Sequence, residues 1–307
     1  MIVVCGEALM DVFDAGATAT GQALDARIGG SPLNVAIGLA RLAQPVAFLG
    51  GVSRGFLGER LMQAMADEGV STHCVQRIAA PTTLGLVGVD ARGVPDYAFY
   101  GDGAADRLLA PAALAQVPAA AAFHFGSYTM VAEPVAGTLR TLVERECRRS
   151  VISYDPNIRL NVEPDLERWR AALAWMAPRT TLLKTSAEDL DLLFPGSAPA
   201  DLAAGWIAAG VSVVVLTRGG EGAIAWTPTL QVEVDPVVVE VVDTVGAGDT
   251  FQAALLCALA ERGRLDPTAL RSLARDDLEA ALAFAARAAA ITCSRRGADL
   301  PRRSELG

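Results

Sequence analysis

Short runs of β-branched and aromatic residues, each followed by a longer alanine- and leucine-rich stretch at helical spacing, recur along the amino-acid sequence. This alternation restricts the fold more than any other feature. The runs include Ile2-Val3-Val4, Val46-Ala47-Phe48-Leu49, Ala122-Phe123-His124-Phe125, Val151-Ile152-Ser153-Tyr154, Thr181-Leu182-Leu183 and residues 211–216. Between them, residues 34–42, 56–68, 134–148 and 166–176 carry the helical period. Strand alternating with helix predicts βαβ units and a parallel sheet, and strands that are apolar almost throughout need cover on both faces. The expected class is therefore α/β.

Helix starts are legible at two places. Ser31-Pro32 sets a capping residue before a proline at the first helical position, and Ser186 precedes an acidic first turn at Glu188-Asp189. Two segments, residues 10–28 and 94–103, lack the helical period. The alternation in Tyr97-Ala98-Phe99-Tyr100 predicts strands outside the main sheet there. With no repeat, low-complexity tract or long linker, residues 1–307 read as one domain carrying a small appendage.

The 52% hydrophobic content allows one large core. No apolar run approaches the roughly 20 residues that span a bilayer, and Met1-Ile-Val-Val-Cys-Gly-Glu has neither the basic end nor the cleavage site of a secretory signal. A cytoplasmic protein without a membrane partner is expected. Cys5, Cys74, Cys147, Cys257 and Cys293 are scattered singly, so buried reduced thiols are expected rather than disulfides or zinc ligands. A formal net charge of −9 argues against nucleic acid, whose phosphates are neutralised by Lys and Arg. It leaves room for a single nucleotide, which backbone amides at a helix N-terminus can hold.

The strongest local signal is Asp243-Thr244-Val245-Gly246-Ala247-Gly248-Asp249-Thr250-Phe251, followed by an apolar helix over residues 253–259. Two glycines one residue apart let the chain turn sharply and aim successive N–H groups at one point, to which the helix adds its positive end. Such an anion hole at Gly246, Ala247 and Gly248 suits phosphoryl transfer, and the adjacent carboxylate of Asp249 is suited to accept a proton from an attacking hydroxyl.

The same residues resemble the C-terminal signature of the ribokinase-like, or phosphofructokinase-B type, carbohydrate kinases. The N-terminal signature of that family resembles Gly29-Gly30-Ser31-Pro32-Leu33-Asn34-Val35-Ala36, with Ala40-Arg41-Leu42, Gly50-Gly51-Val52-Ser53 and Gly58 beyond it. Within the family the chain looks most like bacterial fructokinases. Gly6-Glu7-Ala8-Leu9-Met10-Asp11, Pro81-Thr82-Thr83-Leu84, Ala104-Ala105-Asp106, Phe125-Gly126-Ser127, Asp155-Pro156-Asn157-Ile158-Arg159 and Lys184-Thr185-Ser186 fall in the order those enzymes use. The resemblance covers essentially the whole chain. It implies a three-layer α/β/α ribokinase-like fold with a mostly parallel central sheet and a small β-sheet lid, formed by segments near 10–28 and 94–103.

By that resemblance, Asp249 is the general base, and Asp11, Gly30, Asn34, Phe99, Asn157 and Arg159 surround the sugar, with Arg159 also able to meet the transferring phosphate. Lys184, Thr217, Gly219, Gly220, Gly222 and Gly248 would hold ATP. Glu188 or Asp189 would support Mg2+ through water, and the Asp243 loop, with residues 292–298, would be the place where relatives often hold K+. Two departures stand out: Ser186-Ala187-Glu188-Asp189 replaces the family's Asn-x-x-Glu element, and Gly55 replaces an acid common before Gly58. Relatives sometimes pair through their lids, which leaves a homodimer open.

Other readings are weaker. Gly220-x-Gly222-x-x-Ala225 imitates a dinucleotide fingerprint, but Ile224-Ala225-Trp226 continues as strand, and no P-loop occurs. The expected reaction is ATP-dependent phosphorylation of a sugar primary hydroxyl, fructose to fructose 6-phosphate. A 2-keto-3-deoxygluconate kinase and an aminoimidazole riboside kinase are the alternatives within the class. A sugar- or nucleotide-sensing pseudokinase is the alternative outside it, and the intact Gly-Ala-Gly-Asp turn speaks against that.

Overall fold

The computed structural model describes residues 1–89 and 95–307. Among them the chain forms β1 (Ile2–Cys5), β2 (Leu9–Ala17), β3 (Gln22–Gly29), α1 (Ser31–Arg41), β4 (Val46–Leu49), β5 (Gly51–Ser53), α2 (Phe56–Asp67), β6 (Gln76–Ile78), β7 (Leu84–Val89) and β8 (Pro95–Tyr100). It continues with β9 (Ala122–Gly126), α3 (Val135–Glu146), β10 (Val151–Asp155), α4 (Leu166–Met176), β11 (Leu182–Ser186), α5 (Ala187–Leu193), α6 (Pro199–Ala209), β12 (Val213–Thr217), β13 (Ala223–Trp226) and β14 (Gln231–Val234). The helices α7 (Ala247–Glu261), α8 (Pro267–Arg271) and α9 (Arg275–Cys293) complete the fold.

The main sheet runs β14-β13-β12-β11-β10-β9-β1-β4, parallel from β4 to β12 and antiparallel at the β13 and β14 edge. Its strands, apart from the edge strand β14, are buried on both faces, and their alternation sorts the helices into two layers. Ile2 and Val4 share one apolar cluster with residues of α1, α2, α7 and α9, whereas Val3 and Cys5 share the other with residues of α3 and α4. This is the three-layer arrangement expected of a ribokinase-like fold. Every residue of α7 from Asp249 to Leu259 is buried, because that helix packs between α1 and α9. Burial of Leu255, Leu256 and Leu259 there contributes about 1.5–3 kcal/mol each.

A second sheet, β3-β2-β7-β8, is mixed: β2 pairs antiparallel with β3 and parallel with β7, and β8 closes it antiparallel. The segments expected outside the main sheet supply β2, β3 and β8 of this second sheet, with residues 18–21 and 101–103 outside the strands and Val94 outside the described residues. Residues 84–89 join it as well, which the sequence reading had not assigned. A further pair, β5 and β6, is parallel. No helix of the described residues is long and apolar enough to cross a membrane. The five cysteines are free thiols, with Cys147 and Cys293 only partly buried.

The strand order reverses at β1, with β4 on one side and β9 on the other. In open α/β sheets ligands bind at the carboxyl ends of the strands flanking such a reversal. Here those ends deliver Glu7 after β1 and Ser127 after β9.

Candidate active site

Two cavities open at this end of the sheet. The first, about 450 Å3, lies between the main sheet and the small sheet. The six residues expected around a sugar, Asp11, Gly30, Asn34, Phe99, Asn157 and Arg159, line it together with the expected base Asp249. The second, about 610 Å3, is lined by Lys184, Thr217, Gly219, Gly220, Gly222, Glu188 and Asp189. Asn157, Thr244 and Gly248 line both, so the two cavities meet at the glycine turn.

At that junction Gly246 takes φ 78, a conformation open to glycine, and starts α7. The amides of Ala247, Gly248 and Asp249 precede the first intrahelical bond, which Thr250 N–H gives to the Gly246 carbonyl at 2.8 Å. Ala247 N–H is turned to the Thr244 carbonyl at 3.2 Å, so its amide closes the turn rather than facing a ligand. Gly248 and Asp249 retain first-turn amides with no carbonyl one turn back.

Asp249 is buried, and each carboxylate oxygen accepts one hydrogen bond from the start of α1. Ser31 Oγ donates to Oδ1 at 2.6 Å and Asn34 Nδ2 to Oδ2 at 2.8 Å. Ser31 was expected to cap α1. The cap is instead Gly30, at φ 103 and with no side-chain cap bond, and Ser31 opens the helix with its hydroxyl turned to Asp249. A side chain at Gly30 would press on the Glu7 carbonyl, its Cβ about 2.8 Å away. Asn34, expected at the sugar, thus holds the carboxylate beside it. Ser186 does cap α5, accepting from Asp189 N–H at 3.0 Å.

Asp11 sits on β2 across the first cavity. Gly85 stands directly opposite it on β7, and Phe99 on β8 is paired with Gly85. Glycine is needed at two places around that carboxylate: a Cβ on Gly29 would run into Asp11 Oδ2, and one on Gly85 would come to 3.1 Å from Oδ1. Burial raises the Asp11 carboxyl to about 6, with Arg159 opposing the rise and Asp249 adding to it.

Lys184 Nζ pairs with Asp155 Oδ2 at 2.7 Å, both almost fully buried. Burial works to lower the Lys184 ammonium, but Asp155, Asp189 and Asp249 outweigh it and hold it above the ordinary lysine value. Burial also raises Asp155, to about 6, against the pull of Lys184. Its Oδ1 has no partner, nor does Asn157 Nδ2. Asn157 at φ 41 and Ser127 at φ 57 are non-glycine residues in the left-handed region, and both line the first cavity. Backbone strain of this kind collects at functional sites.

The remaining expected residues divide. Asp189 is buried and spends Oδ1 on the Ile158 amide at 3.0 Å, whereas Glu188 is exposed on the same turn. Among the described residues no group of three or more His, Cys, Asp or Glu side chains is gathered as a metal cluster. The Asp243 carboxylate lines neither cavity. It accepts from Val245 N–H at 3.1 Å and Gly297 N–H at 2.8 Å, tying the loop before α7 to the loop after α9. Sequence reasoning missed Glu7, Phe13, Ser31 and Gly85 in the first cavity. It also missed the apolar strap Pro236, Val237, Val238, Val239 and Val241, which faces Ala286, Ala289 and Ala290 of α9 across the second.

With this geometry in hand, the comparisons with known proteins agree with each other. The model of the pfkB family carbohydrate kinases matches residues 1–305. A fructokinase of Rhizobium leguminosarum bv. trifolii is 36% identical over 260 residues, covering 84% of this chain and 79% of that protein. A probable fructokinase-4 of Arabidopsis thaliana is 32% identical over 286 residues, covering 91% and 86%. Among solved structures, the fructokinase of Xylella fastidiosa with bound ATP superposes with a TM-score of 0.87 at 27% identity, over 99% of this chain and 96% of that one.

Proposed function

The chain belongs to the pfkB family of carbohydrate kinases, and from that premise we propose that it transfers the γ-phosphoryl group of ATP to a primary hydroxyl of fructose, giving fructose 6-phosphate. The observation that carries this reading is the meeting of the two cavities at Gly248, with Asp249 on one side and Lys184 on the other. That arrangement supports an acceptor hydroxyl and a terminal phosphate approaching in line.

Asp249 acts as the general base. Its two hydrogen bonds, from Ser31 and Asn34, leave each oxygen a lone pair and hold the carboxylate in one orientation. The hydroxyl proton passes to Asp249 as the hydroxyl oxygen bonds to γ-phosphorus and the bond to the β,γ-bridging oxygen breaks, leaving ADP. Charge on the transferring oxygens is met by the Gly248 and Asp249 amides at the positive end of α7.

Asp11 accepts hydrogen bonds from two sugar hydroxyls, and Arg159 and Asn157 donate to sugar oxygens. The small sheet acts as a lid: Phe13 and Phe99 cover the acceptor, and excluding water there protects ATP from hydrolysis. On the other side, the valine strap and the alanines of α9 suit the flat faces of a purine, and Thr217 with the glycines at 219, 220 and 222 lines the path to the junction.

Glu188 and Asp189, which line the second cavity, fit a hydrated Mg2+ carried in mainly by phosphates, since that ion keeps most of its water and takes few carboxylates. When bound it supplies charge neutralisation at the phosphate oxygens.

The test is turnover of a sugar panel with ATP and Mg2+, coupled to ADP release. The reading expects kcat/KM for fructose to exceed that for 2-keto-3-deoxygluconate and aminoimidazole riboside. Higher kcat/KM for either alternative would reassign the acceptor, and no turnover of any sugar or nucleoside would remove the kinase reading.

A further inference from the structure

Hydroxyl groups both donate and accept, so a pocket for a polyol needs both kinds of partner. Asp11 and Asp249 can only accept when ionised, and the donors assigned so far are Arg159 and Asn157. Glu7 is a third carboxyl on the wall of the same cavity, only 1% exposed and used by nothing in the proposed mechanism. It follows β1 at the strand-order reversal, where an acceptor is expected to lie deepest.

Its surroundings differ from those of the neighbouring buried acid. Asp106 has a donor on each oxygen: Thr83 Oγ1 at 2.5 Å and Tyr128 Oη at 2.8 Å. The contact from Thr129 Oγ1 to Glu7 Oε2 is long, 3.4 Å, and the single proton of that hydroxyl has a better acceptor in the Gly126 carbonyl at 3.0 Å; the Glu7 backbone amide also favours the ionised form. The Ser127 side chain is its other polar neighbour. The ionised carboxylate is held less firmly here than at Asp106, whereas a protonated one brings a donor of its own.

We propose that Glu7 is a further acceptor-binding residue, donating a hydrogen bond from its carboxyl group to a hydroxyl oxygen of the sugar. The proposal rests on the kinase reading and adds a group to the acceptor site. Burial raises the Glu7 carboxyl to about 8, Asp106 adds to the rise, and Ser127 and Arg159 oppose it. Tyr128, Asp11 and Asp249 line the cavity with it. Glu7 therefore carries its proton at neutral pH. Above about pH 8 it loses the donor and adds a third negative charge beside Asp11 and Asp249, so sugar affinity falls while the ATP site is untouched.

The experiment measures KM for sugar and for ATP from pH 6.5 to 9.5 in wild type, Glu7→Gln and Glu7→Met, using the sugar that wild type turns over fastest. The glutamine keeps an N–H donor that does not titrate. Its sugar KM should stay within about threefold of wild type at pH 7, and the tenfold or larger alkaline rise of wild type should disappear. Glu7→Met should raise sugar KM at least tenfold at pH 7 with ATP KM unchanged. A glutamine variant that keeps the wild-type alkaline rise, or a folded methionine variant with unchanged sugar KM, overturns the proposal. If the methionine variant does not fold, the glutamine profile decides. Failure of wild type on fructose alone, with another sugar turned over, strikes the fructose assignment and leaves this test intact.

Discussion

Asn34, in the first turn of α1, donates from Nδ2 to Asp249 Oδ2 at 2.8 Å across 215 residues of chain, and so the N-terminal half of the fold orients the carboxylate that the C-terminal half supplies. Ser31 does the same for the other oxygen. A carboxylate held at two points keeps one orientation. Asn34→Ala is expected to lower kcat by about 10- to 100-fold, the range of a displaced general base. Ser31→Ala should cost somewhat less. Steady-state kinetics checks this: unchanged kcat with raised sugar KM would return Asn34 to a pure sugar contact.

Gly29→Ala adds a methyl group where Asp11 Oδ2 now lies. The Asp11 side chain must rotate, so sugar KM should rise about tenfold or more while ATP KM holds. Gly85→Ala, whose Cβ meets Oδ1 at 3.1 Å, should be milder. Binding of sugar to the folded variants by calorimetry would check the order.

The Asp11 carboxyl, raised by burial to about 6, is ionised above that pH and protonated below it. It binds hydroxyl protons only when ionised, so sugar kcat/KM should fall as pH drops through about 6. Asp11→Asn should start from a lower value and lack the sugar-specific part of that limb. A wild-type sugar KM that is flat from pH 7 to pH 5 would contradict this assignment.

Lys184→Met removes one partner of a buried pair and leaves Asp155 unpaired near Asp189 and Asp249. Breaking such a pair costs about 3–5 kcal/mol. Because the folded-state value of Asp155 is raised, its protonated form favours the folded state, and the loss should shrink as pH falls. Urea unfolding at pH 5 and pH 8 measures the difference, and ATP KM should rise at both.

How much was legible varies with the range of the contact. The helix at residues 166–176 was readable to its ends, and Ser186 was recognised as a cap, since both depend on neighbours a turn away. Ser31 carries the same local signal, yet Asp249, 218 residues distant, takes its hydroxyl. Residues 84–89 carry two glycines and no apolar–polar alternation, so their strand, held between β2 and β8, is not legible locally. The glycine-rich signature located the turn at Gly246, and the resemblance of the segments at 6–11, 155–159 and 184–186 located Asp11, Asn157, Arg159 and Lys184. Gly85, Phe13 and Glu7 depend on which strands stand side by side, which no local pattern encodes. The valine strap at 237–241 has the composition of a buried strand, but Val238 is 92% exposed and lines an open cavity.

The proposed mechanism depends on Asp249 taking the proton from the acceptor hydroxyl beside the first-turn amides of α7. Asp249→Asn keeps the shape of the side chain while losing the base. Single-turnover phosphoryl transfer in that variant, on protein whose circular dichroism and unfolding midpoint match wild type, is the direct measurement. The rate should fall by about a thousandfold or more with ATP binding preserved. A rate within a few-fold of wild type would contradict it.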